Sequence, residues 1–337
     1  MRLEKFLRFS ALSLLLFPLF SNADNFHFKV LQLNTWMLKL PIISESVAKD
    51  LKARAKILPE VVAGTGADII VMQEVWPKAI RKQFARDMKK WGYPYSASDS
   101  KTGFLRGVMG NGLMIVSKFP LDSHIDYMRF KEYTVFDEFF AYKGAIKTKV
   151  EIPGVGAVDL YDSHLGAVDF DSKLKEYKPN EEDKKTSQAE ELTHWIETTR
   201  SENIQILSAD LNSHYRTFED GEFTQTTSPV YTLMTDPIQG MGLVDTYHSI
   251  NGFPAMPDCT YCMDNVYAAL GLFGNAPSEV EDYIFINPNP QVTVESSEIV
   301  IKEDLSTIID PTQYGLKTVP VHISDHYGLL TTFVVHQ

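Results

Sequence analysis

ILSADLNSH, residues 206–214, opens on an apolar pair and breaks into Asp210 and Asn212. On an extended segment these two side chains, two residues apart, project to the same side. A carboxylate and an amide oxygen placed together at a strand end suit a hard cation or a polarised water. A strand entering an Asx-type turn uses the same residues with no chemistry attached. Repetition favours the first reading. FKVLQLNT (28–35) closes on Asn34, DIIVMQEVW (68–76) runs into Glu74, and the stretch 157–163 stops at His164. DYIFIN (282–287) carries Asp282 at its start, and Asp325 and His326 stand just before a last strand over 328–335.

Around these strands the spacing of apolar residues predicts helices over Glu45–Val62, Pro77–Trp91 and Ser187–Arg200, the last with Ser187 and Glu190 as a capping box. Gly103–Asn111 reads as a tight glycine-rich loop before the strand GLMIVS (112–117). Tyr142–Glu151 and Ala157–Ser163 read as hairpin partners across Pro153–Gly156. The charged run Asp169–Lys185 reads as a surface loop, and Asn251–Pro277 as irregular. There is no internal repeat and no low-complexity linker. The expected architecture is one α/β domain over 24–337: a four-layer α/β/β/α sandwich of two mixed, mostly antiparallel sheets.

With 44% hydrophobic and 23% charged residues the chain is a globular one. Arg2, Lys5 and Arg8 precede the apolar run Ala11–Phe20, and Ser21-Asn22-Ala23 supplies small residues for cleavage. Residues 1–23 therefore read as a signal peptide, and the mature protein as secreted or periplasmic. That segment carries net +2, so its loss moves the formal charge from −12 to −14. Such an acidic chain, without a Lys/Arg run interleaved with aromatics, argues against nucleic-acid binding. Cys259 and Cys262, in CTYC, are too few for a zinc site and read as a local disulfide. Trp36–Ile43 and Ala268–Phe273 are too apolar for loops in water; each either packs on the core or meets the surface of a bilayer.

Taken in order, LNTW (33–36), QEVW (73–76), DSHL (162–165), ADLN (209–212), DYIFI (282–286) and SDHYGL (324–329) resemble the endonuclease/exonuclease/phosphatase superfamily, with its deoxyribonuclease I-like fold. Within it the chain is most similar to neutral sphingomyelinases, through LNTWML, NGLMIVSKFPL (111–121), SHLGA (163–167), ELTHWI (191–196), GLVDTY (242–247) and CTY (259–261). The resemblance implies a phospholipase C-type hydrolysis of sphingomyelin, with Mg²⁺ as cofactor and Mn²⁺ or Co²⁺ as substitutes. It assigns Glu74, Asn34 and Asp325 to the metal and His326 to the general base, oriented by Asp282. His164 would assist the leaving oxygen, and Asp210 and Asn212 would position water and phosphate. The partner implied is membrane phospholipid met by a monomer at the bilayer surface. A choline headgroup fits an acidic chain that is 12% aromatic. Phosphatidylcholine, lysophosphatidylcholine or another phosphodiester, or a catalytically inactive membrane binder on the same fold, remain open alternatives.

Overall fold

The computed structural model describes residues 25–39, 47–98, 107–134, 139–171, 176–253, 258–271, 276–307, 310, 312, 315, 317 and 321–336. The expected signal peptide, residues 40–43 of the first apolar loop and residues 272–273 of the second lie outside them.

β1 (Phe26–Asn34) leads into α1 (Leu51–Gly64), β2 (Ile69–Gln73), α2 (Lys78–Lys90), β3 (Tyr95–Ala97) and β4 (Met114–Ser117). β5 (Asp126–Arg129), β6 (Gly144–Ile152), β7 (Gly156–His164), the short β8 (Phe170–Asp171) and β9 (Glu176–Tyr177), α3 (Pro179–Thr199) and β10 (Ile204–Asp210) follow. The chain continues through β11 (Arg216–Glu219), β12 (Glu222–Thr227), α4 (Pro229–Thr235), β13 (Val244–Asp245), α5 (Thr246–Asn251) and α6 (Val266–Ala269). It closes with β14 (Asp282–Ile286), β15 (Val292–Val300) and β16 (Gly328–Val335).

Two six-stranded sheets result, in the orders β15-β16-β1-β2-β4-β3 and β13-β14-β10-β7-β6-β5. β1 with β2, and β7 with β10, run parallel; the other pairings within these two sheets are antiparallel. α1 and α2 cover the outside of the first sheet, burying Ile57, Leu58, Phe84 and Met88 against Leu31, Ile70 and Met72. α3 and α4 cover the outside of the second, where Leu192, Ile196 and Met234 meet Tyr161, Leu207 and Phe285. The sheets pack on each other through Phe28, Val30, Val71, Leu160, Ile206 and Phe333. This is the expected four-layer sandwich.

Strand alternation explains where the site lies. Side chains two apart share a face, so the inner face of β1 reads Phe28, Val30, Gln32, Asn34. That of β2 reads Ile69, Val71, Gln73; of β7, Val158, Leu160, Asp162, His164; of β10, Ile204, Ile206, Ser208, Asp210. β14 runs the other way and ends its inner face with Asp282 where β10 ends with Asp210, the two being cross-strand partners. Each strand is apolar at one end of the sandwich and polar at the other. A ladder of amides and acids bridges the sheets below the mouth: Gln32 Nε2 donates to Gln73 Oε1 (2.8 Å) and Asp282 Oδ1 (2.6 Å), and Gln73 Nε2 to Asp162 Oδ1 (2.8 Å).

Three expectations are corrected. The first helix begins at Leu51, not Glu45: Asp50 at its N-cap has a left-handed φ of 51°. The third begins at Pro179, eight residues before Ser187, so Ser187 lies inside the helix and caps nothing. Pro at the first helical position and Glu181 and Glu182 in the first turn are the signals that start it. Much of the expected loop 169–185 is therefore the β8–β9 hairpin and the first turns of α3. Trp36 and Met37, the described start of the first apolar loop, pack into the core.

Arg54 of α1 ties the fold to the mouth. Its guanidinium is fully buried and donates to Lys49 O, Thr35 O, Trp36 O and Ile323 O at 2.7–2.9 Å, joining the chain after Asn34 to the chain before Asp325. Truncation strands three buried carbonyls and the part-buried one of Lys49, a buried one costing about 1–3 kcal/mol when left unmade. We expect Arg54→Ala to lose about 3–5 kcal/mol in urea unfolding; a loss below about 1 kcal/mol would show that water replaces the clamp.

Candidate active site

His326 stands one residue before Tyr327, where the chain turns into β16. Its Nδ1 lies 2.8 Å from Asp282 Oδ2, and Asp282 takes Gln32 on its other oxygen. Burial opposes charge on the imidazole, but Asp282, with Asp325 and Asp210 beyond it, outweighs this and holds the pKa well above the usual histidine range. Tyr261 packs its ring 5.1 Å from the imidazole. The chain around it is pinned by Thr260, whose hydroxyl accepts from the backbone N–H groups of Glu281 (3.0 Å) and Asp282 (3.2 Å). Cys259 and Cys262 form a disulfide bracketing both residues.

Asp210 ends β10 with both oxygens engaged: Asn34 Nδ2 donates at 2.7 Å and Asn212 N at 2.8 Å. Burial and then Asp282 push its pKa up, to about 6. Asn212, at a left-handed φ of 47°, gives its side-chain amide to Leu165 O (3.0 Å), and Lys185 of α3 holds its carbonyl at 2.8 Å. His164, at the end of β7, sits 3.4 Å from Asp210 Oδ2 and 4.0 Å from Glu74 Oε1 through Nε2. Burial first, then Lys143 and His326, keep it neutral, its pKa well below the usual range. Lys143 Nζ lies 2.9 Å from that same Nε2 and donates to Leu165 O (2.8 Å). An ammonium can only donate, which places the His164 proton on Nδ1, buried and without a partner. In this arrangement His164 is an acceptor at Nε2, and the Lys143 ammonium bears electrostatically on Glu74 and Asp210. Trp76 covers His164 at 6.2 Å. It lies flat on Gly112, where a Cβ would meet the indole at 2.7 Å.

Glu74 follows β2 with a left-handed φ of 59°. A non-glycine residue held there stores strain that surrounding structure must impose. Its side chain is partly exposed, but Oε2 is buried and lacks any partner; burial raises its pKa against Lys143 and His326. Asp325 is likewise pushed up to about 6 by burial first, with Glu74 adding to it. Asp210, Asp282 and His326 also bring ligand atoms within 4.8 Å of one another. Their oxygens and Nδ1 are already committed to hydrogen bonds, whereas Glu74 Oε2 is not. The buried acids thus fit a divalent cation, with Glu74 as the donor in need of one. Asn34 adjoins it, its Oδ1 accepting from Trp36 N (3.0 Å).

The eight residues singled out in the sequence as strand-end polar groups are thus brought to one mouth. Lys143, the Gln32–Gln73–Asp162 ladder, Glu279 and Glu281 were not among them, and all reach the same region. Lys143 had a signal: counting back from the 153–156 turn pairs Gly144 with His164, which brings the preceding residue to the end of β7.

The endonuclease/exonuclease/phosphatase family model matches residues 31–326. A Drosophila melanogaster protein named as a candidate neutral sphingomyelinase is 29% identical over 193 residues, 55% of this chain and 39% of that protein. The match therefore spans well under half of that relative. Among solved structures, a beta toxin variant from Staphylococcus aureus with bound magnesium ions superposes with a TM-score of 0.64 at 18% identity, covering 91% of this chain and 99% of that one. TDP2 of D. rerio, complexed with a single-strand DNA product, gives 0.60 at 16% identity over 91% and 98%. The sandwich is shared with both. With the family model spanning the strands that carry Glu74, His164, Asp210, Asp282 and His326, this chain belongs to the endonuclease/exonuclease/phosphatase family.

Proposed function

We propose that this chain is a metal-dependent phosphodiesterase of phospholipase C type that hydrolyses sphingomyelin to ceramide and phosphocholine. The observation that carries the reading is the His326–Asp282 pair facing buried acids, one of which, Glu74, has an unsatisfied oxygen. In-line hydrolysis of a phosphodiester needs a base for the incoming water, positive charge on the phosphoryl oxygens and support for the leaving oxygen. His326 would act as the base in its neutral form, which a bound cation would favour against the pull of Asp282, Asp325 and Asp210; Asp282 orients the imidazole through Nδ1 so that Nε2 faces the cleft. Lys143 supplies fixed positive charge, and Asn212 and Asp210 hold the polar wall where phosphate and water meet. Glu74 and Asn34, with Asp325 beside them, would hold the cation, Mg²⁺ by the oxygen character of the set. When bound it supplies Lewis-acid stabilisation of charge on phosphorus.

The choice of lipid rests on the sequence similarity to the Drosophila protein and on charge. A net charge of −12 and a cleft lined by Glu74, Glu279, Glu281 and Asp325 repel a polyanion. The fold shared with a DNA-bound protein makes a nuclease the second reading, and plasmid DNA the necessary control. Export of the mature chain, as a monomer acting at a membrane surface, completes the proposal. The expected result is phosphocholine release from sphingomyelin vesicles that stops in excess chelator and returns with Mg²⁺. Release that continues in chelator, or DNA nicking without lipid cleavage, would overturn the reading.

A further inference from the structure

The wall of the cleft beside His326 carries two acids that hydrolysis does not use. Glu279 and Glu281 lie two apart on the segment entering β14, and both line the cleft with Asn34, Glu74 and His326. Glu279 is only 4% exposed, yet no hydrogen bond or ion pair among the described residues holds its carboxylate. Glu281 reaches no closer than 3.9 Å to His326 Nε2. The charge that bears on Glu279 is that of Glu281, another acid. A buried, unpaired acid is expensive, and two together make a place that a positive charge would relieve.

The other lining groups narrow the kind of cation. Tyr177, Tyr261 and Trp36 present aromatic rings in the same cleft, and Tyr261 is joined to Glu279 by paired backbone hydrogen bonds of 2.9 and 3.0 Å. Ring faces attract cations without needing an N–H donor from them. A hard metal ion is held by oxygen ligands, whereas a quaternary ammonium, which has no N–H, depends on ring faces and nearby negative charge. In an in-line displacement the leaving oxygen lies opposite the incoming water. The ester arm that stays on phosphorus is therefore the one that projects sideways, beside the base. Glu279 and Glu281 flank that base.

We propose that Glu279 and Glu281, with the rings of Tyr177 and Tyr261, form the subsite for the quaternary ammonium of the group retained on phosphorus. This rests on the phosphodiesterase reading but is tested apart from it, by binding. Phosphocholine and its uncharged carbon isostere, 3,3-dimethylbutyl phosphate, are titrated calorimetrically into the full protein with Mg²⁺, alongside Mg²⁺ alone. The expected result is phosphocholine bound at least tenfold more tightly than the isostere, with Glu279→Gln erasing that difference while leaving the isostere and Mg²⁺ affinities unchanged. Equal affinity of wild-type protein for the two phosphates would overturn the proposal without any variant. So would a Glu279→Gln protein that weakens both phosphates alike, or one that loses Mg²⁺ affinity and so marks Glu279 as a metal ligand. Phosphocholine preference in a protein that leaves sphingomyelin uncut would keep the subsite and remove the lipid assignment; sphingomyelin cleavage with no preference would do the reverse.

Discussion

His326→Ala is expected to fold as the wild type does and to retain about one thousandth of its turnover or less. A positioned general base contributes about 10²–10⁴-fold, and here it is also held by a second residue. The Asp282 carboxylate fixes the imidazole through a 2.8 Å bond to Nδ1 and leaves Nε2 toward the cleft. Asp282→Asn tests the pair from the other side. The amide lacks the negative charge that favours protonated imidazole, so its loss should fall on kcat more than on KM. It also tolerates Gln32 poorly, because an amide can present N–H where Gln32 Nε2 now donates at 2.6 Å. Steady-state kinetics on a vesicle substrate, with circular dichroism as the folding control, measures both. Retention by His326→Ala of a tenth of the wild-type rate would place the base elsewhere.

Glu74→Gln is expected to abolish metal-dependent turnover at Mg²⁺ concentrations that saturate the wild type. The amide keeps the shape and removes the charge on a carboxylate whose buried Oε2 lacks a partner at the mouth of the cleft. A second consequence concerns stability without metal. Burial raises the pKa values of Asp210 and Asp325 to about 6 and of Glu281 to about 8, and lifts Glu279 and Asp162 well above the usual carboxylate range. Asp282 raises His326 against the opposing effect of burial. Each of these binds more protons folded than unfolded between its ordinary and its raised pKa, so stability falls as pH rises; Asp210 and Asp325 act mainly below neutral pH, and the fall above it rests on Glu281 and His326. His164 and His214, which burial keeps neutral, act in the opposite sense only below about pH 6.5. In chelator, therefore, Tm should fall steadily from pH 6.5 to 8.5. Mg²⁺ at about a hundred times its Kd should restore about 2.7 kcal/mol, and the Glu74→Gln protein should lack that restoration. A flat Tm profile in chelator, or full Mg²⁺ stabilisation of the variant, would count against this set of acids as the cation's seat.

The central strands were legible because their inner faces obey a strict alternation that turns from apolar to polar. Phe28, Val30, Gln32, Asn34 shows it in one line, and the same shift in β7 and β10 collects the site. Other elements lack that regularity. In β15 a bulge between Val294 and Ser296 breaks the register, so its alternation fails midway and the strand escapes notice. In α3 the first turns bury only Lys185, whose ammonium reaches Glu182 and Asn212; a charged buried residue hides the helix stripe. The Gln32–Gln73–Asp162 ladder is made by pairings 41 and 89 residues apart, which no local window contains. Glu279 and Glu281 did have a local signal, two acids directly before a buried strand, but their meaning depends on the cleft they enter.

The measurement closest to the central claim is hydrolysis of sphingomyelin vesicles in ¹⁸O-labelled water with Mg²⁺, followed by mass spectrometry of both products. Attack by water on phosphorus predicts one ¹⁸O in phosphocholine and none in ceramide. Label in ceramide, or sphingomyelin left intact while plasmid DNA is cut, would contradict it.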